Sequence, residues 1–552
     1  MHRRFSLLLS AVTSLALTAC TTSGSALVFP LLPELGGQRL TVSTRAPEAQ
    51  SYFDQGLTLY WGFDHEEARR SFRRAAELDP ELAMAHWGLA LAAGPHINLP
   101  MMDEERDRAA HEALTRALEL VDEATPFEQS LIHALEKRYA WPPPAERRAL
   151  DEAYAAAMGE IWRANPRSAE AGALYAEALM DLRPWDLWGK DGAPRPETPE
   201  VLDVLARVLE LDPRHVGANH LAIHAWEMSP TPEKALPSAD RLRTLVPGAS
   251  HLVHMPAHID VRLGHYDAAV RANQAAIEAA RARVARTGRG GFYSLYRAHN
   301  YHFLVYAAQF EGRYELALAM ARELVRELPP EVVNEMPAFV EGFLPTPLHV
   351  LVRFGKWQEI LAEPEPAALF PGTRAFRLYA RGLALSALGR IDEAAAEQHA
   401  FEAACAAVPE SYSIGNNPTS TVLDIGRSML AGELEYRRGH TEEAFAHLRD
   451  AVQKDEALHY DEPWGWFQPA AHALGALLLE QGRLEEAEAV YRRDLELHPD
   501  NGWALHGLAE CLQRSDRPDE AAQMQDRFRA SWKRADVEIR ASCFCRTGPP
   551  SS

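Results

Sequence analysis

A period of 34 residues constrains this chain more than any other feature. In the first unit, which starts at residue 49, Gly56, Ala68, Phe72, Ala75 and Pro80 fall at positions 8, 20, 24, 27 and 32. Small residues at 8 and 20 let two helices approach closely, and an aromatic at 24 fills the gap between units. Proline at 32 ends the second helix, because it has no N–H to give to the preceding turn. The same phase returns at Ala235, Leu242 and Pro247, and at Gly264, Tyr266, Ala269 and Ala276. It recurs at Gly312, Tyr314 and Ala317, at Gly355 and Trp357, and at Gly382, Gly389 and Ala394. Gly432, Gly439, Ala444 and Ala451 mark another unit, and Gly475, Gly482, Ala487, Tyr491 and Pro499 mark the cleanest late one. Units near 83, 135 and 169 are weaker. At 552 residues the chain is too long for a single globule, and a stacked array accounts for most of that length.

This pattern resembles the tetratricopeptide repeat (TPR). The resemblance implies an all-α, right-handed superhelical TPR solenoid of roughly twelve helix pairs, with a concave groove lined by the first helix of each pair. Longer connections interrupt the period at 182–200, 284–297, 409–424 and 459–467. They are rich in Trp, Tyr, Pro and Gly, and are expected either to pack on the solenoid as lids or to be plain surface excursions. The segments AMAHWGLALAAGPHIN (83–98), ALYAEALMDLRPWDLW (173–188), ANHLAIHAWEMSP (218–230), HLVHMPAHI (251–259), HNYHF (299–303) and DNGWALHGL (500–508) resemble a long bacterial TPR lipoprotein family. That resemblance implies the fold and says little about a reaction.

The N-terminus carries an address. Arg3 and Arg4 precede a short apolar stretch, Leu7 to Leu17, with the layout of a secretory signal. Leu17-Thr18-Ala19-Cys20 resembles a bacterial lipobox, which implies cleavage after residue 19 and lipid on Cys20; the alternative is an ordinary signal peptide. Thr21 rather than Asp after the cysteine implies the periplasmic face of the outer membrane. The expected organisation is a signal peptide at 1–19, lipidated Cys20 with a tether to 48, and N-terminal units at 49–200. His-rich central units at 201–340, C-terminal units at 341–535 and a flexible tail at 536–552 follow. A net charge of −21 and a pI near 5.6 argue against a nucleic-acid partner. Five cysteines in the chain exclude a disulfide-dense scaffold.

Histidine is concentrated, with nine of the 23 lying in residues 215–302. Their phase matters more. His220, His224 and Glu227 fall at repeat positions 5, 9 and 12, His251, His254 and His258 at 2, 5 and 9, and His299 and His302 at 2 and 5. Those positions share one face of the first helix, and neighbouring first helices stack about 10 Å apart, so these side chains can converge. Glu177 and Asp181, from the preceding unit, are expected to add acid on that face. His349 falls at position 9 of a later unit. His215 and His265 lie off the face and read as surface residues. His472 and His506 read as polar contacts of the solenoid.

Imidazole suits Zn, Cu, Fe and Ni. Pairs at i and i+4, such as His220/His224 and His254/His258, can chelate one ion, and a third ligand from the next helix completes a site with one open position. Pro256 is expected to kink or shorten its helix and to split the second pair. The leading reading is a membrane-anchored lipoprotein whose groove takes a protein or peptide partner. It carries a transition-metal site (Zn, Cu, Fe or Mn) built from His220, His224, Glu227, His251, His254, His258, His299 and His302. One rival is a metal-dependent hydrolase or oxidoreductase with substrate held under the 182–200 and 284–297 loops. The other is a metal-free interaction scaffold. Cys543 and Cys545 read as incidental cysteines of a frayed tail, with a metal site or a redox disulfide as the alternative, and Cys405 and Cys511 as small core residues. Tyr60, Trp61, Trp87 and Trp185 read as packing residues, with a ligand groove as the alternative.

Overall fold

Pro47 opens the first helix, Pro47–Trp61, where its missing N–H costs no bond. Asp64 caps the second, His65–Leu78, by accepting from the Glu67 N–H. Phe72 then wedges between helices. A Cβ added at Gly56 would lie 2.7 Å from its ring, and one at Gly88 of the following helix 2.5 Å. The far end is built the same way, with Tyr491 within 2.6 Å of a Cβ added at Gly475 and 2.3 Å of one at Gly507. Each ring fills the gap between units only because both facing positions lack a side chain.

The computed structural model describes residues 30–287 and 293–546. Within them the chain is an all-α TPR solenoid of twelve helix pairs, running from Pro47–Trp61 to Pro518–Ser531. The exception is a two-stranded antiparallel hairpin, in which Ser413 faces Pro418 and Ile414 faces Asn417. The signal segment, Cys20 and the first part of the tether lie outside the described residues. Among those described, no helix is long and apolar enough to cross a membrane.

Several expectations change. The connection expected at 284–297 is largely helix, since Tyr266–Thr287 runs into it and Tyr293–Phe310 begins within it. Pro256 does split its helix, into Ser250–His254 and Pro256–Arg262. Residues 536–546, expected as a flexible tail, pack on the array. The Asp536 carboxylate accepts from the Tyr314 and Glu315 N–H groups at 2.7 and 3.0 Å. Ser542 is fully buried against Tyr491 and His472, and Cys543 and Cys545 form a disulfide. Cys405 and Cys511 are buried and free.

The array also touches itself across its coil. Trp503 Nε1 donates to the Gln309 carbonyl at 2.8 Å, across 194 residues. Arg353 donates to Nδ1 of His472 at 2.7 Å and lies 3.7 Å from the centre of the Trp503 ring. Lys190, on the 182–200 connection, donates to the Ala457 carbonyl. The 459–467 loop lies in the concave side, where Phe467 stacks on His302 at 4.5 Å and Trp466 is buried against Tyr379. The first helices here are therefore covered on every side. In Val216–Glu227 every residue except Trp226 is buried, and in Tyr293–Phe310 every residue except His299. The groove expected to take a peptide is occupied by the chain's own loop at this level.

Candidate metal centre

Three first helices bring six imidazoles together in two sets. In one, Nε2 of His220 lies 3.1 Å from Nε2 of His224 and 3.1 Å from Nε2 of His251. In the other, Nε2 of His254 lies 2.6 Å from Nε2 of His258 and 3.0 Å from Nε2 of His299. Tetrahedral coordination with metal–nitrogen bonds near 2.05 Å puts ligand nitrogens about 3.3 Å apart. The distances of 3.0 and 3.1 Å are close to that spacing, and the 2.6 Å between His254 and His258 is shorter. The break at Pro256 does not separate His254 from His258, because Met255 at the junction keeps helical angles, φ −49° and ψ −37°.

The opposite ring nitrogens fix the tautomers. His220 Nδ1 lies 2.7 Å from the Trp61 carbonyl, which can only accept. His224 Nδ1 lies 2.8 Å from Glu227 Oε1, and His258 Nδ1 lies 2.6 Å from Glu227 Oε2. His254 Nδ1 lies 2.7 Å from Asn273 Oδ1, whose amide nitrogen is committed to the Ala269 carbonyl. In all four rings Nδ1 carries the proton, so a neutral ring presents its lone pair at Nε2. Lone pairs then face one another across 3.1 Å between His220 and His224, and a neutral His258 would face His254 in the same way across 2.6 Å. Such pairs repel unless a cation sits between them. Orienting partners on the far nitrogen are what ligating histidines normally have.

Charge agrees with this in the first set. Burial, reinforced by neighbouring histidines, holds His220, His251 and His254 well below the usual imidazole range and brings His224 down to about 3. His258 differs. Burial opposes its charge, but the carboxylates of Glu462 and Glu227 outweigh burial and lift it to about 10. An imidazolium there can donate from Nε2 to His254, so a proton and a metal ion compete for the second set. No such proton is available between His220 and His224.

Glu227 is not itself one of the facing ligands. It links the sets by accepting from one ring of each. Glu462 is a residue that repeat phase did not reveal. It reaches His258 Nδ1 from the 459–467 loop, and burial and the charge of Glu227 push it up to about 7. The only advance signal was that this loop breaks the period. His302 is not brought into either set; it stacks on Phe467, and burial lowers it to about 3. His349 packs on Phe376, with ring centres 4.0 Å apart. Glu177 and Asp181 turn to a separate buried network, where Glu177 accepts from Tyr60 at 2.5 Å and Asp181 pairs with Arg138. His215, read as a surface residue, is buried; its Nδ1 caps helix Val216–Glu227 and its Nε2 lies 3.1 Å from Glu170. His265 is exposed, as read. Tyr60, Trp61 and Trp87 are core, whereas Trp185 stands edge-on to His224 at 5.7 Å.

Residues 478–527 match the tetratricopeptide repeat family model. Cellulose synthase operon protein C of Pseudomonas fluorescens (strain SBW25) is 37% identical over 81 residues, which is 15% of this chain and 6% of that protein. Human IFIT1, solved as a dimer with m7Gppp-AAAA, is 14% identical, with 88% of this chain and 91% of that chain covered at a TM-score of 0.33. Yeast Tom70 is 13% identical, with 88% and 91% covered at a TM-score of 0.30.

Proposed function

We propose that the chain is an exported, lipid-anchored TPR protein that holds two transition-metal ions and uses them on a small molecule. One ion is held by His220, His224 and His251, the other by His254, His258 and His299. The observation that carries this reading is the facing Nε2 lone pairs of His220 and His224, each ring fixed from behind by an acceptor on Nδ1; the second set repeats that geometry, with a proton at His258 as the competitor of its ion. Three ligands per ion leave a position open, the arrangement of reactive rather than purely structural sites. All-imidazole shells favour Cu or Zn over Mn, which prefers oxygen. The test is elemental analysis of the purified full-length protein beside His220→Ala and His254→Ala. The expected content is two ions in the wild type, one in each single variant and none in the double. A wild type without metal, after reloading under both reducing and oxidising conditions, overturns the reading.

The interaction-scaffold reading draws support from the repeat match at 478–527. It belongs to the outer surfaces of the array, since the concave side is filled beside the histidines. For the address, lipid on Cys20 would place the domain at the periplasmic face of the outer membrane. Cys20→Ala is expected to move the protein from the membrane to the soluble fraction. An unchanged distribution would refute the anchor.

A further inference from the structure

Both histidine sets open onto one cavity of about 350 Å³. His224 and His251 from the first set line it, and so do His258 and His299 from the second. Two ions held there would present their open positions to the same occupant. The volume suits a small molecule and is too small for several residues of a peptide.

The remaining wall restricts the chemistry of that occupant. It is largely aromatic and apolar, with Trp185, Tyr296, Phe343 and Trp464 the main rings. Flat faces of this kind take a planar ring by stacking or edge contact. Trp185 is held at φ 59°, a backbone region uncommon for a bulky residue, and its ring stands 5.7 Å from that of His224. Tyr296 lies 4.5 Å from the His251 ring on the other set of elements. Among the described lining residues there is no lysine or arginine, whereas Asp461 and Glu462 both line the cavity. A phosphate or carboxylate would meet those acidic side chains and, apart from His258, find no cationic side chain to pair with. A hydroxyl, by contrast, can donate to those carboxyls and offer its oxygen to a metal.

We infer that this cavity binds a neutral planar aromatic molecule with adjacent hydroxyl groups, a catechol by chemical class, with its oxygens toward the paired histidine sets. This rests on the two-ion reading above. The ring is gripped by Trp185 and Tyr296, and the oxygens take the open metal positions.

The experiment titrates the full-length metal-loaded protein under argon with 4-methylcatechol, which is neutral at pH 7, following tryptophan emission, with metal content measured on the same sample. Saturable binding of one probe per chain is expected, with metal retained and with 4-nitrophenyl phosphate binding more weakly. Trp185→Ala, at unchanged metal content, is expected to weaken the probe by about tenfold, the upper range of one aromatic contact. Two ions present but no saturable binding overturns the ligand assignment alone. So does tighter binding of the phosphate, loss of metal to the probe, or full affinity in the Trp185 variant. A sample without metal overturns the two-ion reading first, and the ligand assignment with it.

Discussion

Glu227→Gln tests the tautomer argument directly. The carboxylate accepts from His224 Nδ1 through one oxygen and from His258 Nδ1 through the other, at 2.8 and 2.6 Å. Glutamine keeps one acceptor and replaces the other with an NH2 donor. The ring facing that donor must give up its Nδ1 proton, and a neutral imidazole then carries the proton on Nε2, where the metal should bind. His258 retains a second acceptor in Glu462, but His224 has none among the described residues. The loss therefore falls on the His220/His224/His251 set. Removing an orienting partner of this kind lowers metal affinity by about 10–100-fold, or about 1.4–2.8 kcal/mol. Competition titration with a chromogenic chelator resolves the two sites as two steps. The expected result is one step weakened and the other within about threefold of wild type, a difference under ~0.7 kcal/mol. Glu462→Gln is expected to spare the first set, and the double variant to weaken both. Two unchanged steps in Glu227→Gln would refute the reasoning, because the second oxygen would then have no role in fixing His224.

Three further outcomes follow from packing and charge. Gly507→Ala places a Cβ 2.3 Å from the Tyr491 ring, so overpacking should cost about 1–3 kcal/mol in denaturant unfolding; a wild-type midpoint would mean the ring can move aside. Phe467→Ala empties a buried position stacked on His302 and should cost about 3–5 kcal/mol; a loss under ~1 kcal/mol would show that the loop is not part of the core. Acid should destabilise the chain through His472, which burial brings down to about 4. Because the folded value is below the unfolded one, the unfolded chain takes the proton first. Stability then falls as pH drops from about 6.5 to 4, by about 3 kcal/mol for this residue. The slope over that interval should be shallower in His472→Gln, and an equal slope would assign the acid sensitivity elsewhere.

The helices and the six converging imidazoles were legible in the sequence for the same reason. Both follow from phase within a repeat, and phase is a property of residues three or four apart on one helix. Gly56, Phe72 and Pro80 report a helix pair whatever lies beyond it, and His220/His224 report a shared face in the same way. His302 misled because phase places a side chain on a face without saying what else reaches that face. Phe467, which captures it, comes from a loop 165 residues away. His215 misled for a related reason. It lies outside the helix face and so reads as surface, yet it caps the helix that presents His220 and reaches Glu170.

Glu462 shows where reading by period ends. The 459–467 loop announces itself only as nine residues that do not fit the repeat. Its proximity to His258 depends on the curvature summed over the intervening units, which is set by many small packing angles such as those where Gly382 faces Leu430 and Gly432 faces Leu448. No local pattern encodes that sum. Those same angles decide whether the concave side is an open groove or a closed cavity. An error of a few degrees per unit would carry the loop away from the histidines and restore a groove. The glycines facing Leu430 and Leu448 therefore bear on the site as well as on the fold. Gly382→Ala, more than 120 residues from His258, should weaken metal binding if curvature sets the cavity. Chelator competition on the folded variant measures this, and undiminished affinity of both sites would show that the central units hold the centre without help from the array.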